Sequence, residues 1–134
     1  MSVFDTLRIA GSGLTAQRLR MDVASSNLAN AQTTRTADGG PYRAESAVFV
    51  AVPMGQAAGP GVAAMAIVSP GRGFTRAYDP ASPDADAEGF VLHPDVDVAT
   101  EMADLMGAAR SFQINATVVQ AVKQSALDAL DLGR

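Results

Sequence analysis

The chain has 134 residues, a net charge of −4 at pH 7, no cysteine, no tryptophan and only 5% aromatic residues. That length supports one domain, or a helical stalk with a small module. The missing cysteines exclude disulfides and thiolate metal sites, and the acidic balance, carried mostly by residues 51–98, gives no electrostatic case for nucleic acid.

So few rings predict packing by Leu, Val, Met and Ala, which suits close helix–helix contact. The opening MSVFDTLRIAGSGL lacks a secretory signal pattern, because Asp5 and Arg8 interrupt it and no basic segment precedes them. No stretch reaches the length of a membrane span. By these rules the chain is expected in the cytoplasm, or exported by a route that does not cleave it.

The first predicted element is a helix to about residue 30. Ser2 with Asp5 reads as a capping box. Leu7, Leu14, Met21 and Leu28 recur every seven residues, and Val3, Ala10, Gln17, Ala24 and Ala31 fill the second position of the repeat. Such a repeat lets one helical face meet another helix along its length. Gly11 and Gly13 each cost about 1 kcal/mol against Ala, so this helix needs support from elsewhere. Gly11-Ser12-Gly13 mimics a dinucleotide fingerprint, but helical rather than strand periodicity precedes it and no acidic residue follows at the required distance. Asn27 and Asn30 close the helix, either as simple terminators or as a polar latch whose amides bond the next loop or another subunit.

Residues 32–41, QTTRTADGGP, read as a polar turn segment. Strands are predicted at Tyr42 to Val52, with Val48, Val50 and Val52 on one side, at Val62 to Val68, at Phe74 to Tyr78 and at Phe90 to His93. Met54 to Gly61 is a turn or loop between the first two. The acidic loop from Asp79 to Gly89 follows Tyr78. Within it Asp84, Asp86, Glu88, Gly89 and Asp95 fall at positions 1, 3, 5, 6 and 12 of a calcium loop. Asp95 is a poor bidentate ligand, and Pro80, Pro83 and Pro94 forbid close flanking helices. The preferred reading is therefore an acidic turn, with Asp84, Asp86 and Glu88 pairing with Arg72 and Arg76 of an adjacent subunit. A calcium-regulated binding module using residues 84–95 is the alternative.

Asp97 and Glu101 mark the start of a final helix of about 33 residues, which Gly133 ends. Val98, Leu105, Phe112, Val119 and Ala126, with Met102, Ala109, Ala116 and Leu130, repeat the heptad pattern. The expected pairing seam is Leu7, Leu14, Met21 and Leu28 against Met102, Leu105, Phe112 and Val119. Ile9, Leu19 and Val23 lie opposite the first seam, and Ile114 and Val118 opposite the second. Helices apolar on two sides contact more than one neighbour, so these five are expected at subunit–subunit contacts. The fold class expected is mainly α, with two long terminal helices, in 1–31 and 97–134, pairing as a coiled-coil hairpin around a β-rich or irregular middle module, 32–96. His93, the single histidine, has no nucleophile partner, so neither an enzyme nor a cofactor is expected.

Three blocks carry a resemblance. Ala24-Ser25-Ser26-Asn27-Leu28-Ala29-Asn30-Ala31 resembles the N-terminal signature shared by axial proteins of the bacterial flagellum. Val96-Asp97-Val98, Glu101-Met102 and Ala109-Arg110-Ser111-Phe112-Gln113-Ile114-Asn115 resemble its C-terminal counterpart, and Ala129-Leu130-Asp131-Leu132-Gly133 fits its close. Tyr78-Asp79-Pro80, with Pro83 through Val91, resembles the FlgC class of bacterial flagellar basal-body (proximal) rod proteins. Phe112 replaces a usual tyrosine, Ile114 a usual alanine, and Gln32 breaks an asparagine-rich continuation. The resemblance implies a structural subunit exported through the flagellar type III apparatus without signal cleavage. It implies polymerisation with copies of itself and other rod subunits into a hollow helical shaft in the periplasm, for motility, torque transmission and export. In that class the terminal helices form the inner coiled-coil layer and the middle segment an outer contact module. Neither nucleic acid nor direct membrane insertion is expected.

Overall fold

The computed structural model describes residues 2–54, 59–71 and 73–133. Helix α1, Val3–Ala29, begins at a capping box: the Ser2 N–H donates to Asp5 Oδ2 at 2.8 Å and the Phe4 N–H to Ser2 Oγ at 3.4 Å. These bonds satisfy amides that have no partner within the helix. Four strands follow: β1, Ser46–Pro53; β2, Pro60–Val68; β3, Phe74–Tyr78; and β4, Phe90–Pro94. Helix α2, Val98–Leu132, has 35 residues and extends about 52 Å at 1.5 Å per residue. Asp97 caps it by accepting from the Ala99 N–H at 3.2 Å, and Gly133 closes it.

The two helices pack antiparallel. Arg20, late in α1, pairs with Asp104, early in α2, at 3.1 Å. Gly13, earlier in α1, faces Asn115, later in α2. A Cβ at Gly13 would stand 2.9 Å from Asn115 Nδ2, so glycine permits the approach made there. The buried apolar residues include Ala10, Ala16, Ala24 and Ala108. Small side chains on the facing lines bring the two backbones close.

The covered line of α2 differs by one residue from part of the expected seam. Leu105, Phe112 and Val119 are half-buried, as are Leu7, Leu14, Met21 and Leu28 on α1. Met102, however, is 52% exposed, and Ala109 and Leu130 are exposed with it. Glu101 and Ala108, each one residue earlier, are covered in place of Met102 and Ala109, Asn115 is half-buried beside Ala116, and the covered line ends at Ala126, short of Leu130. A heptad reading favours bulky apolar residues, whereas this contact uses a carboxylate, a methyl and an amide.

Strands β1 and β2 pair antiparallel from Ser46↔Val68 to Pro53↔Pro60, with a bulge between Val48 and Phe49. Strands β3 and β4 pair from Phe74↔Pro94 to Tyr78↔Phe90. A lone two-stranded hairpin is marginal in water, and the first one leans on α1. Ser12 Oγ accepts from the Val62 N–H at 3.1 Å, and the Arg8 guanidinium donates to the Met54 carbonyl. This support corrects the expected outer face of α1. Val23 is 8% exposed, and Ile9 and Leu19 are half-buried, because the chain's own hairpin lies along them. Ile114 and Val118 on α2 remain open, at 56% and 38%. In β1 the valine side is likewise the open one, with Val48 and Val50 exposed and Ala47 and Phe49 turned partly inward.

Candidate functional site

The buried polar residues cluster where α1 ends and the strands begin. Asn27 lies in the last turns of α1, on the side away from solvent, and is 1% exposed. Its Nδ2 donates to the Glu45 carbonyl at 2.9 Å, and its Oδ1 accepts from the Glu45 N–H at 2.9 Å. A primary amide presents the same donor and acceptor as a peptide unit. Asn27 thus meets both backbone groups of Glu45 as a neighbouring strand would. Strand β1 starts at the next residue, Ser46, rather than at Tyr42. The reason is physical: Glu45 already has its main-chain partners in a side chain.

Tyr42 completes the arrangement. Its hydroxyl donates to Asn27 Oδ1 at 3.0 Å and lies 3.2 Å from Ser26 Oγ, which donates in turn. Asn30 plays the local part. Its Nδ2 donates to the Ser26 carbonyl at 2.9 Å, and its Oδ1 accepts from Thr33 Oγ1 at 3.2 Å. One asparagine therefore ties α1 to a segment 18 residues on, and the other finishes the helix.

A second tie holds the polar loop after α1. The loop turns at Gly39 and Gly40, both at positive φ, with the Thr36 N–H donating to the Gly40 carbonyl at 2.8 Å. Asp84, from the acidic loop, accepts from Thr34 Oγ1 at 2.8 Å and from Arg35 Nε at 2.9 Å. Asp86 accepts at one oxygen from the Glu88 and Phe90 N–H groups, at 2.9 and 2.8 Å, and at the other from Arg76 at 3.2 Å. The Phe90 amide first, then the Glu88 amide and Arg76, hold the Asp86 carboxyl below its ordinary value. Arg76 also reaches Glu88 at 3.2 Å and lies over the Phe90 ring, 4.4 Å from its centroid. Gly89 carries φ +83° at this turn, where a Cβ would stand 2.9 Å from the Tyr78 ring. Tyr78 itself is 68% exposed and meets Phe90 edge-on at 5.3 Å. Asp79 accepts from the Ala81 N–H at 3.2 Å.

These contacts correct the expectation that the loop carboxylates reach an adjacent subunit. The β3–β4 register places Arg76 opposite Leu92, beside the returning loop, so its partners lie within the chain. Arg72 lies outside the described residues. The calcium reading finds no support. Asp84 and Asp86 point to arginines and amides, and among the described residues no group of three or more His, Cys, Asp or Glu is placed to share a metal ion.

Two family models match the chain. "Flagella basal body rod protein" covers residues 7–35, and "Flagellar basal body rod FlgEFG protein C-terminal" covers residues 87–132. The first spans Asn27, Asn30 and Arg35; the second spans Glu88, Phe90 and nearly all of α2. The flagellar basal-body rod protein FlgC of Salmonella typhimurium is 44% identical over 135 residues, with all of both chains covered. The chain belongs to the FlgC family of flagellar basal-body rod proteins. Its Bacillus subtilis relative of that name is 39% identical over 150 residues, again with all of both chains covered, and the Borreliella burgdorferi one is 37% identical over 97% of each. Membership makes the chain a structural subunit of the flagellar basal-body rod. The latch at Asn27 thus lies inside the N-terminal family block, but its partners Tyr42 and Glu45 lie beyond it. Sequence reasoning did not single out Glu45, which contributes only main chain, so no side-chain signal could have marked it.

Proposed function

We propose that the chain builds the rod by polymerising through α1 and α2, paired as a coiled coil, with copies of itself and with other rod subunits. Segments 1–31 and 97–134 act as the inner layer, and 32–96 as the outer contact module. The supporting observation is the apolar surface α2 leaves open: Met102, Met106, Ile114, Leu127, Leu130 and Leu132 are 46–89% exposed. Burying one such side chain is worth about 1.5–3 kcal/mol, so a partner helix gains much from covering the strip. Heterologous contacts that do not close on themselves generate tubes, as a drive shaft that also passes exported proteins requires. On this reading the chain leaves through the flagellar type III export apparatus uncleaved and assembles in the periplasm. Met102, Ile114 and Val118 then meet neighbouring subunits, while Leu105, Phe112 and Val119 serve the pair itself.

The test is a pair of exposed substitutions, Met106→Glu and Leu127→Glu. Both side chains are exposed, Met106 at 70% and Leu127 at 46%, so the thermal midpoint of the purified variant should move little. Basal bodies isolated from cells carrying the variant should lack the rod beyond the point where this subunit adds. Normal rods built from either variant would remove the strip from the assembly surface.

A further inference from the structure

A cleft of about 260 Å³ opens between α1, β1 and the first turn of α2. Three carboxylates line it, Glu45, Glu101 and Asp104, against a single cation, Arg20. Arg20 is engaged with Asp104 at 3.1 Å. Glu101 is 9% exposed, and among the described residues its carboxylate has no hydrogen-bond or ion partner. Its position in the first turn of α2 places it near the positive end of the helix dipole. The residue is largely covered but its carboxylate oxygens still touch solvent, so a cation entering the cleft can pair with them.

We infer that this cleft receives an arginine side chain from a second copy of the chain. The inference rests on the assembly reading above and specifies one of its contacts. The chemistry favours a guanidinium over a metal ion, because the three carboxylates are not grouped to share one ion. A planar fork with five N–H donors bridges separated oxygens. The lining also includes Val23, Ala47 and Phe49, which offer apolar contact for a methylene stem.

This chain presents suitable occupants. Arg8, Arg20, Arg35, Arg43 and Arg76 are engaged within the fold. Among the described residues Arg18 and Arg110 are exposed arginines with no partner. They stand at one level of the helix pair, since Gly13 faces Asn115 and each arginine is five residues from that contact. Arg18 precedes Arg20 by two residues, and Arg110 follows Asp104 by six. At 1.5 Å per residue, a neighbour displaced along the helix pair by about 3–9 Å brings an arginine level with the cleft.

The test combines purified chain with rods assembled in cells lacking the native gene copy. Glu101→Gln should leave the thermal midpoint of the free chain unchanged or raised, yet reduce incorporation into isolated basal bodies several-fold. Glu101→Arg, Arg18→Glu and Arg110→Glu isolate the pair: the cleft variant should fail to incorporate, and combining it with one of the two glutamate variants should restore incorporation. A lowered midpoint for Glu101→Gln would assign Glu101 a purely structural role and overturn the inference. So would normal incorporation of Glu101→Gln, or rescue by neither glutamate variant. Those outcomes leave the rod reading intact if the wild-type chain is found in the same basal bodies. Its absence from them would overturn that reading and the inference together.

Discussion

The two ends of the helix pair are built on opposite principles. Where α1 stops and α2 starts, polar groups meet one another: Asn27, buried, with Glu45 and Tyr42, Asn30, half-buried, with Thr33, and at the surface Arg20 with Asp104. At the far end α2 carries Leu127, Leu130 and Leu132 at 46%, 70% and 89% exposure, and Phe4 at the start of α1 is 74% exposed. Directional bonds fix a geometry but gain little net free energy each, whereas apolar surface gains free energy with weak direction. The comparison teaches that this subunit sets its shape at one end with hydrogen bonds. On the proposed assembly, the leucines at the other end, like Met102 and Met106 nearer to Asn27, are covered by other molecules.

The largest effect is expected from breaking the finished end. Asn27→Ala strands the Glu45 N–H and carbonyl, at about 1–3 kcal/mol for each group left buried and unsatisfied, while the Tyr42 hydroxyl keeps Ser26 Oγ at 3.2 Å. Urea unfolding of the free chain should show it. Asn27→Asp is the sharper variant, since it keeps the acceptor for Tyr42 and the Glu45 N–H but removes the donor to the Glu45 carbonyl. Its second oxygen would face the Glu45 carbonyl at a site 1% exposed, so it should cost at least as much as Asn27→Ala, and a clearly smaller cost would mean that the donated bond does not set the geometry.

Next comes Phe112, on the covered line between the two ends. A fully packed ring costs about 3–5 kcal/mol on truncation to Ala. Phe112 is only half-buried in the chain, so Phe112→Ala should destabilise the free chain by less than that range. A measured loss at the top of the range would show the helix pair to be tighter than the exposure implies.

Gln17 offers a change of opposite sign. It lies in line with Ala10 and Ala24, and its Oε1 is buried with no partner. Gln17→Met removes a stranded acceptor at similar length and should stabilise the free chain by up to about 1 kcal/mol. A destabilised variant would mean that the amide is bonded in solution.

The smallest effect is at the acidic turn. The folded Asp86 carboxyl is held below its ordinary value of 3.8, first by the Phe90 amide. Its contribution is therefore complete above that value and is lost as pH falls through the lower, folded value. From neutrality down to about pH 5 the β3–β4 turn should keep its amide exchange protection on account of this group. Loss of protection already at pH 6 would point to another residue.

These sites also show what could be read without coordinates. Ser2 and Asp5, Asp97 and Gly133 marked the helix ends because caps are local chemistry, and the β3 and β4 positions followed from apolar runs between turn residues. The one-residue difference at Met102 arose because Glu101 and Asn115 are polar, and a heptad pattern weighs only apolar residues. Residue spacing gives Arg76 an external partner, because its pairing with Asp86 depends on the β3–β4 register. The helical period puts Val23 on an outer face, because nothing in that period shows that a hairpin will lie across it.

The contrast between the two ends is tested most directly by amide hydrogen exchange on the free chain and on isolated rods. The account predicts that residues 19–28 and 44–48 are protected to a similar degree in both. Residues 114–132 should gain protection strongly in the rod. Equal protection of 114–132 in the two states, or a gain confined to the Asn27 end, would contradict it.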